Sequence, residues 1–290
     1  MSLDVLVAGS AGTLGREVTR ELLSRGHRVR AMVHRTPLPP DLAERVRVLP
    51  ADAASPNGIG EACRGADVVF SCVGASVDPQ AFSRRRSYQS VDTPANLNLL
   101  REAERAGAGR FVYVGVAGHE ELAHLRYVRA HEAVAEALRA SSLPYAVIRP
   151  TGFFAAFAEF LAMAEKGPVA IIGDGSARTN PIHEADVATV CADAIEGADG
   201  ERTVGGPQVM TRRKVVELGF QALGRPVRIR SLPVVVARGM AAVMRPLHPR
   251  MGDFVRFAAD VFSNDLIAPA CGERRLVDYL GARAGVRAGD

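Results

Sequence analysis

The chain has 290 residues, 48% hydrophobic and 23% charged, which suits a folded globular protein and argues against disorder, collagen-like repeats and a disulfide scaffold. Its formal net charge is +4, carried almost wholly by arginine, since Lys166 and Lys214 are the only lysines. These charges are scattered among acids and no apolar run nears the roughly 18 residues of a membrane span, so neither nucleic acid nor a membrane is an expected partner.

Asp4 interrupts the apolar start MSLDVLVAGS and no basic leader precedes it, so a cytoplasmic protein without a signal peptide is expected. Cys63, Cys72, Cys191 and Cys271 show neither CxxC pairing nor metal-ligand spacing and read as free thiols. The run Arg84-Arg85-Arg86 reads as a solvated loop face.

In chain order, the spacing predicts a buried strand over Asp4–Ala8, then a glycine turn and a helix that Gly26 stops. Further strands are expected at Arg28–Val33, Val46–Leu49, Asp67–Val73, Arg110–Val116 and Tyr145–Arg149. Ser55-Pro56 and Thr93-Pro94 each read as an N-cap followed by a helix-opening proline, and Gly107 ends the second of these helices. Leu125–Ala140 reads as a long helix. Apolar strands alternating with helices imply a parallel sheet covered on both faces.

After Pro150 the rhythm changes. A helix rich in Phe and Ala is expected over Thr151–Lys166, a strand over Val169–Ile172, and helices over Asp186–Ile195 and Thr211–Leu223, the last with a threonine cap. Pro233–Met244 and Met251–Phe262 read as core or subunit-contact helices in preference to an interfacial membrane anchor.

The first strand runs into Gly9-Ser10-Ala11-Gly12-Thr13-Leu14-Gly15, a G-x-x-G-x-x-G. Gly9 permits the tight turn, Gly12 lets the backbone approach a pyrophosphate, and Gly15 lets the helix pack closely on the strand. The helix N-terminus then offers free N–H groups to the phosphates. The spacing recurs by chance; its place on the first strand-to-helix turn makes it a dinucleotide site. An NAD site usually carries Asp or Glu at the end of the second strand, whereas this chain has His34 and Arg35, with Arg16 after the last glycine. A guanidinium there can pair with a 2′-phosphate, so NADP(H) is favoured over NAD(H), unless Arg35 is a plain surface residue. The fold class expected is α/β: a Rossmann-type doubly wound parallel sheet over residues 1–150, with a return segment at about 178–204. A smaller substrate-binding part would comprise residues 151–177 and 205–290.

The stretches GSAGTLGREV, GHRVRAMVHR, ADVVFSCVGAS, VDTPANLNLLREAERAGAGRFVYVGV, LPYAVIRPTGFF and NPIHEADVA resemble the atypical short-chain dehydrogenases of the NmrA-like and isoflavone-reductase-like group. The resemblance implies that Asp52, with Ala53, meets the adenine and that Val73 and Gly74 lie along the adenine ribose and pyrophosphate. It also implies that Pro150, Thr151, Gly152 and Phe153 pass beside the nicotinamide.

That group commonly uses Tyr-x-x-x-Lys on one helix, with a Ser or Thr after the fifth strand. Here the matching stretch is Tyr127-Val128-Arg129-Ala130-His131, so histidine stands in the lysine position, and Val114–Ala117 carries no hydroxyl. In one reading His131 replaces the lysine, bonding the ribose or relaying a proton near neutral pH, with Tyr127 as proton donor. In the other the proton-transfer machinery is lost or rebuilt, and the site binds NADPH for another purpose. The first implies an NADPH-dependent reductase acting on a carbonyl or conjugated double bond of an apolar small molecule. The alternatives are a non-catalytic NADP(H)-binding regulator or assembly factor, or a non-redox rearrangement enzyme. His119, at the rim after the fifth strand, and Phe154 and Phe157 are candidate substrate contacts. His124, Tyr113 and His183 are further polar candidates, the last with a structural role expected. No metal-site spacing occurs, and a homo-oligomer is left open.

Overall fold

The computed structural model describes residues 1–55, 58–74, 88–197 and 200–288, with the side chains of 88–91, 250 and 286–288 excepted. The chain runs β1 (Asp4–Ala8), α1 (Thr13–Ser24), β2 (Arg28–Val33), α2 (Pro40–Ala43), β3 (Arg47–Pro50), α3 (Ile59–Cys63), β4 (Val68–Ser71), α4 (Tyr88–Arg105), β5 (Arg110–Val114), α5 (Arg126–Ala140) and β6 (Tyr145–Pro150). There follow α6 (Phe154–Lys166), β7 (Val169–Ile172), β8 (Arg178–Thr179), α7 (Glu184–Ile195), β9 (Gly200–Val204), β10 (Met210–Thr211), α8 (Arg212–Ala222), β11 (Ile229–Leu232), α9 (Val234–Met244), α10 (Pro249–Ser263) and α11 (Leu276–Ala288).

Seven strands form one parallel sheet in the order β3-β2-β1-β4-β5-β6-β9. The strand order reverses between β1 and β4, which opens a crevice at the carboxyl ends of these strands. Alternate β1 residues feed opposite cores. Val5 and Val7 pack with Val18 and Leu22 of α1 and Val187 of α7, whereas Leu6 and Ala8 pack with Leu99 of α4 and Val134 of α5. Residues alternating across a pleated strand require two covered faces, and the apolar strand sequences supply both.

Gly26 (φ +82°) closes α1, with the His27 N–H donating to the Leu22 carbonyl at 3.0 Å, a Schellman-type stop. Thr211 caps α8 as expected, accepting from the Lys214 N–H at 3.1 Å. In the smaller layer β7 pairs with β11 and β8 with β10, while Phe154, Leu161, Val215 and Leu280 join α6, α8 and α11 in a core of their own.

Three expectations need correction. The short helix α3 begins at Ile59 behind Gly58, not after Ser55; Pro56 lies outside the described residues, as does the Arg84–Arg86 run. Pro94 sits inside α4, which starts at Tyr88, because the Thr93 hydroxyl donates to the Ala130 carbonyl of α5 at 3.0 Å in place of capping its own helix. The helix α6 starts at Phe154, since the Thr151 hydroxyl donates to the Asn180 carbonyl at 2.6 Å. Helix α9, expected as a core or subunit-contact helix, buries only Ala237 and Ala241 within this chain, and Val235 and Val243 are 80% and 73% exposed.

Candidate functional site

The glycine turn lies at the carboxyl end of β1. Gly9 has φ +88°, a conformation that L side chains rarely adopt, and the Gly12 N–H donates to its carbonyl at 3.0 Å. A Cβ at Gly15 would lie 2.1 Å from the Gly9 carbonyl oxygen, so only glycine lets α1 start this close to β1. Gly12 is the N-cap residue and no side chain caps the helix, so the first-turn amides remain available to an anion at the positive end of the dipole. Gly12 and Thr13 are exposed, while Leu14 is core and the buried Ser10 hydroxyl ties the turn to the Met32 carbonyl at 2.8 Å. This cradle has the shape and polarity that a dinucleotide pyrophosphate requires.

Around it, Arg16 is half-buried and Arg35 exposed, and neither has an ion-pair partner among the described residues. His34 Nε2 lies 3.5 Å from Asp52 Oδ2, which joins the ends of β2 and β3. Two residues that sequence reasoning did not single out shape the neighbouring loops. Asn96 Nδ2 donates to the Val73 carbonyl at 3.0 Å, and its Oδ1 accepts from the buried Ser71 hydroxyl at 2.6 Å. Asn98 Nδ2 donates to the carbonyl of buried Ala53 at 3.1 Å. Both belong to the VDTPANLN stretch, whose paired asparagines were a usable signal. Gly74 is exposed at the start of the loop after β4.

A second cluster lies near the carboxyl end of β5. Tyr113 Oη is 2.6 Å from His131 Nδ1, and both side chains are buried. The Tyr127 ring stands edge-on to His131, with centroids 4.8 Å apart, and edge-on to Phe257 of α10 at 5.1 Å. Burial, then the nearby Arg149 charge, push the His131 pKa down to about 4 against the opposing pull of Glu132. This corrects the expectation of an imidazole titrating near neutrality: His131 is neutral there. Burial, with Tyr127 and Asp92 nearby, pushes the Tyr113 phenol well above its ordinary value. One hydrogen bond joins the Tyr113 hydroxyl to His131 Nδ1 and ties β5 to α5 at this point.

Beneath this pair, Arg149 of β6 is 1% exposed. It meets Glu132 of α5 at 3.0 Å and Glu201 of β9 at 2.8 Å, and Arg139 meets the same two carboxylates at 2.8 and 2.6 Å. The ring of four charges pins α5, and with it His131, to the sheet.

Pro150, Thr151, Gly152 and Phe153 continue from β6, and Phe153 bridges to Ile182. Phe154 and Phe157 are buried in the α6–α8–α11 core and pack the smaller layer. His119 borders a cavity of about 240 Å³ with Gly118 and Asp265–Pro269, apart from the larger one that Tyr127 lines. His183 has the expected structural role: it caps α7, its Nδ1 accepting from the Ala185 N–H at 3.0 Å. Burial pushes the Cys63 and Cys72 thiols up to about 12, so neither is a nucleophile near neutral pH. Among the described residues no cluster could hold a metal ion, and no helix is long and apolar enough to cross a membrane.

A doubly wound parallel sheet with an uncapped glycine cradle at its reversal point defines a dinucleotide-binding α/β protein. A family model described as NAD(P)H-binding matches residues 9–198, and the chain belongs to that family, within the NmrA-like atypical short-chain dehydrogenases. It is 31% identical over 288 residues to a divinyl chlorophyllide a 8-vinyl-reductase of Zea mays, covering 87% of this chain and 68% of that protein. It is 24% identical to the photosystem II assembly factor Ycf39 of Synechocystis, covering 83% and 74%. The fold matches the NADPH complex of an Escherichia coli quinone oxidoreductase, QOR2, with a TM-score of 0.71 at 17% identity, over 96% of this chain and 99% of that one.

Proposed function

We propose that the chain is an NADPH-dependent reductase acting on a conjugated double bond or carbonyl of an apolar small molecule. The observation that carries this reading is the buried Tyr113–His131 pair beside Tyr127, near the carboxyl ends of the parallel strands, as is the glycine cradle. Identity to a protein named a vinyl-reductase supports a conjugated double bond as the reacting group.

In this reading Gly9, Ser10, Ala11, Gly12, Thr13 and Leu14 hold the pyrophosphate, and Arg16, His34 and Arg35 take the 2′-phosphate. Asp52 and Ala53 meet the adenine, and Val73 and Gly74 line its ribose. Pro150, Thr151, Gly152 and Phe153 border the nicotinamide. When bound, NADPH supplies a hydride. Tyr127 supplies the proton to the substrate atom opposite, and His131, neutral and anchored by Tyr113, positions that phenol. A neutral imidazole lacks the positive charge that a lysine would bring beside the tyrosine, so His131 acts on Tyr127 by holding its ring in place.

The depressed His131 pKa also favours a second reading, a non-catalytic NADP(H)-binding assembly factor, since no cation stands in the lysine position. Nucleotide released by denaturing the purified protein identifies the cofactor. Loss of reduced-nicotinamide absorbance with a panel of enones, quinones and vinyl-substituted rings then separates the readings. Tight NADPH binding with no oxidation by any of them overturns the reductase.

A further inference from the structure

Between the start of α5 and the α9–α10 pair lies a cavity of about 430 Å³, within the size range of small-molecule sites. Arg126, Arg129, Arg238, Arg245 and Arg256 border it. Two carboxylates answer these five guanidinium groups. Asp253 meets Arg245 at 3.5 Å and Arg126 at 3.8 Å. The fully buried Asp260 accepts from Arg238 at 2.6 Å, Arg256 at 2.7 Å and His124 at 2.8 Å. Burial opposes ionisation of Asp260, but those three donors outweigh it and hold its carboxyl below the usual range. Arg129 has no ion-pair partner among the described residues. Three positive charges are therefore left over in one concavity.

The backbone adds to them. Leu125 is the N-cap residue of α5 and no side chain caps that helix, so the amides of its first turn offer donors and a positive dipole end beside the same cavity. The apolar side of the cavity includes Leu125, Ala241 and the edge-to-face pair Tyr127 and Phe257. Asp260 and its donors set two of the arginines in place before any ligand arrives, which lowers the ordering cost of binding.

We propose that this cavity seats an anionic oxygen group, a carboxylate or a phosphate, carried on the apolar ring system of the substrate. The inference rests on the reductase reading for the other end of that molecule: the reacting atom meets Tyr127, and the anionic tail reaches the arginines. A charged tail with a fixed seat orients a ring system that apolar contact alone would leave free to slide.

Calorimetry with naphthylacetate, naphthyl phosphate and neutral methyl naphthylacetate tests the assignment, with and without saturating NADPH. The acid is expected to bind at least tenfold more tightly than its ester, with an affinity that falls as salt rises. The stronger of the two anions identifies the tail. The double variant Arg129→Gln/Arg245→Gln should weaken the anion at least tenfold while leaving the ester and NADPH unchanged. It spares the buried Asp260 set and leaves Asp253 its contact with Arg126, and an unchanged melting temperature checks its fold. Equal binding of acid and ester, full retention in the double variant, or no binding by either anion overturns the proposal. Should NADPH fail to bind or be oxidised while the acid still binds through these arginines, the reductase reading falls and the anion seat stands.

Discussion

The Tyr113 hydroxyl, on a central strand, is hydrogen-bonded to His131 Nδ1 on the neighbouring helix at 2.6 Å, with both side chains shut away from water. The bond fixes the orientation of the imidazole, and burial keeps the ring neutral near pH 7. A positioning role for His131 separates from a structural one in kinetics. His131→Ala is expected to lower kcat by about tenfold or more and to shift the acid limb of the pH–rate profile. An unchanged kcat in a correctly folded variant removes His131 from the chemistry.

The same burial makes stability depend on pH. The folded pKa of His131, about 4, lies below its unfolded value near 6.5, so the unfolded chain binds more protons between those values. Stability is full above pH 6.5 and falls as pH drops toward 4, by about 3 kcal/mol from this group. Glu201 acts in a lower window. Hydrogen bonds from Arg139 first, and Arg149, hold it at about 2 against partial desolvation, so its contribution is present above its unfolded value and lost as pH falls through about 2. Urea titrations should show His131→Phe flattening only the upper window and Glu201→Gln only the lower one.

Arg149 is the keystone of the four-charge ring. Arg149→Met strands Glu132 and Glu201 in a partly dry site and is expected to cost about 3–5 kcal/mol in denaturant unfolding. A loss below one kcal/mol, about a fivefold change in the folding constant, would show that Arg139 suffices to hold both carboxylates.

Gly15→Ala places a methyl against the Gly9 carbonyl and forces α1 away from the turn. NADPH affinity is expected to fall at least tenfold, with about 1–3 kcal/mol lost in stability. Wild-type affinity in this variant would mean that the cofactor does not use the cradle.

Arg35→Asp should invert cofactor preference. Removing a charge-assisted contact to the 2′-phosphate weakens NADPH by about tenfold or more, while the new carboxylate can accept from an NADH ribose hydroxyl. Equal effects on both nucleotides would place Arg35 outside the selectivity site.

The glycine turn was legible because its requirements are local: a left-handed φ at Gly9 and the absence of a Cβ at Gly15 concern residues six apart. The parallel sheet was legible for a similar reason, since apolar strands between helices announce two covered faces. Thr93 misled because a hydroxyl before a proline looks the same whether it caps its own helix or bonds a distant carbonyl. The apolar sequence of α9 does not say whether an element of this chain reaches it, and most of its large apolar side chains stay exposed here. Tyr113 in RFVYVGV looks like any strand aromatic, and only the docking of α5 onto β5 turns it into the partner of His131.

Chain order thus dictates the cradle, the strand pattern and the histidine in the lysine position. Folding alone sets the charge of that histidine, because burial and an arginine from β6 determine its proton affinity. The arginine cavity likewise exists only after folding: its walls come from residues 124–129 and 238–257, and long-range packing brings such distant segments to one concavity.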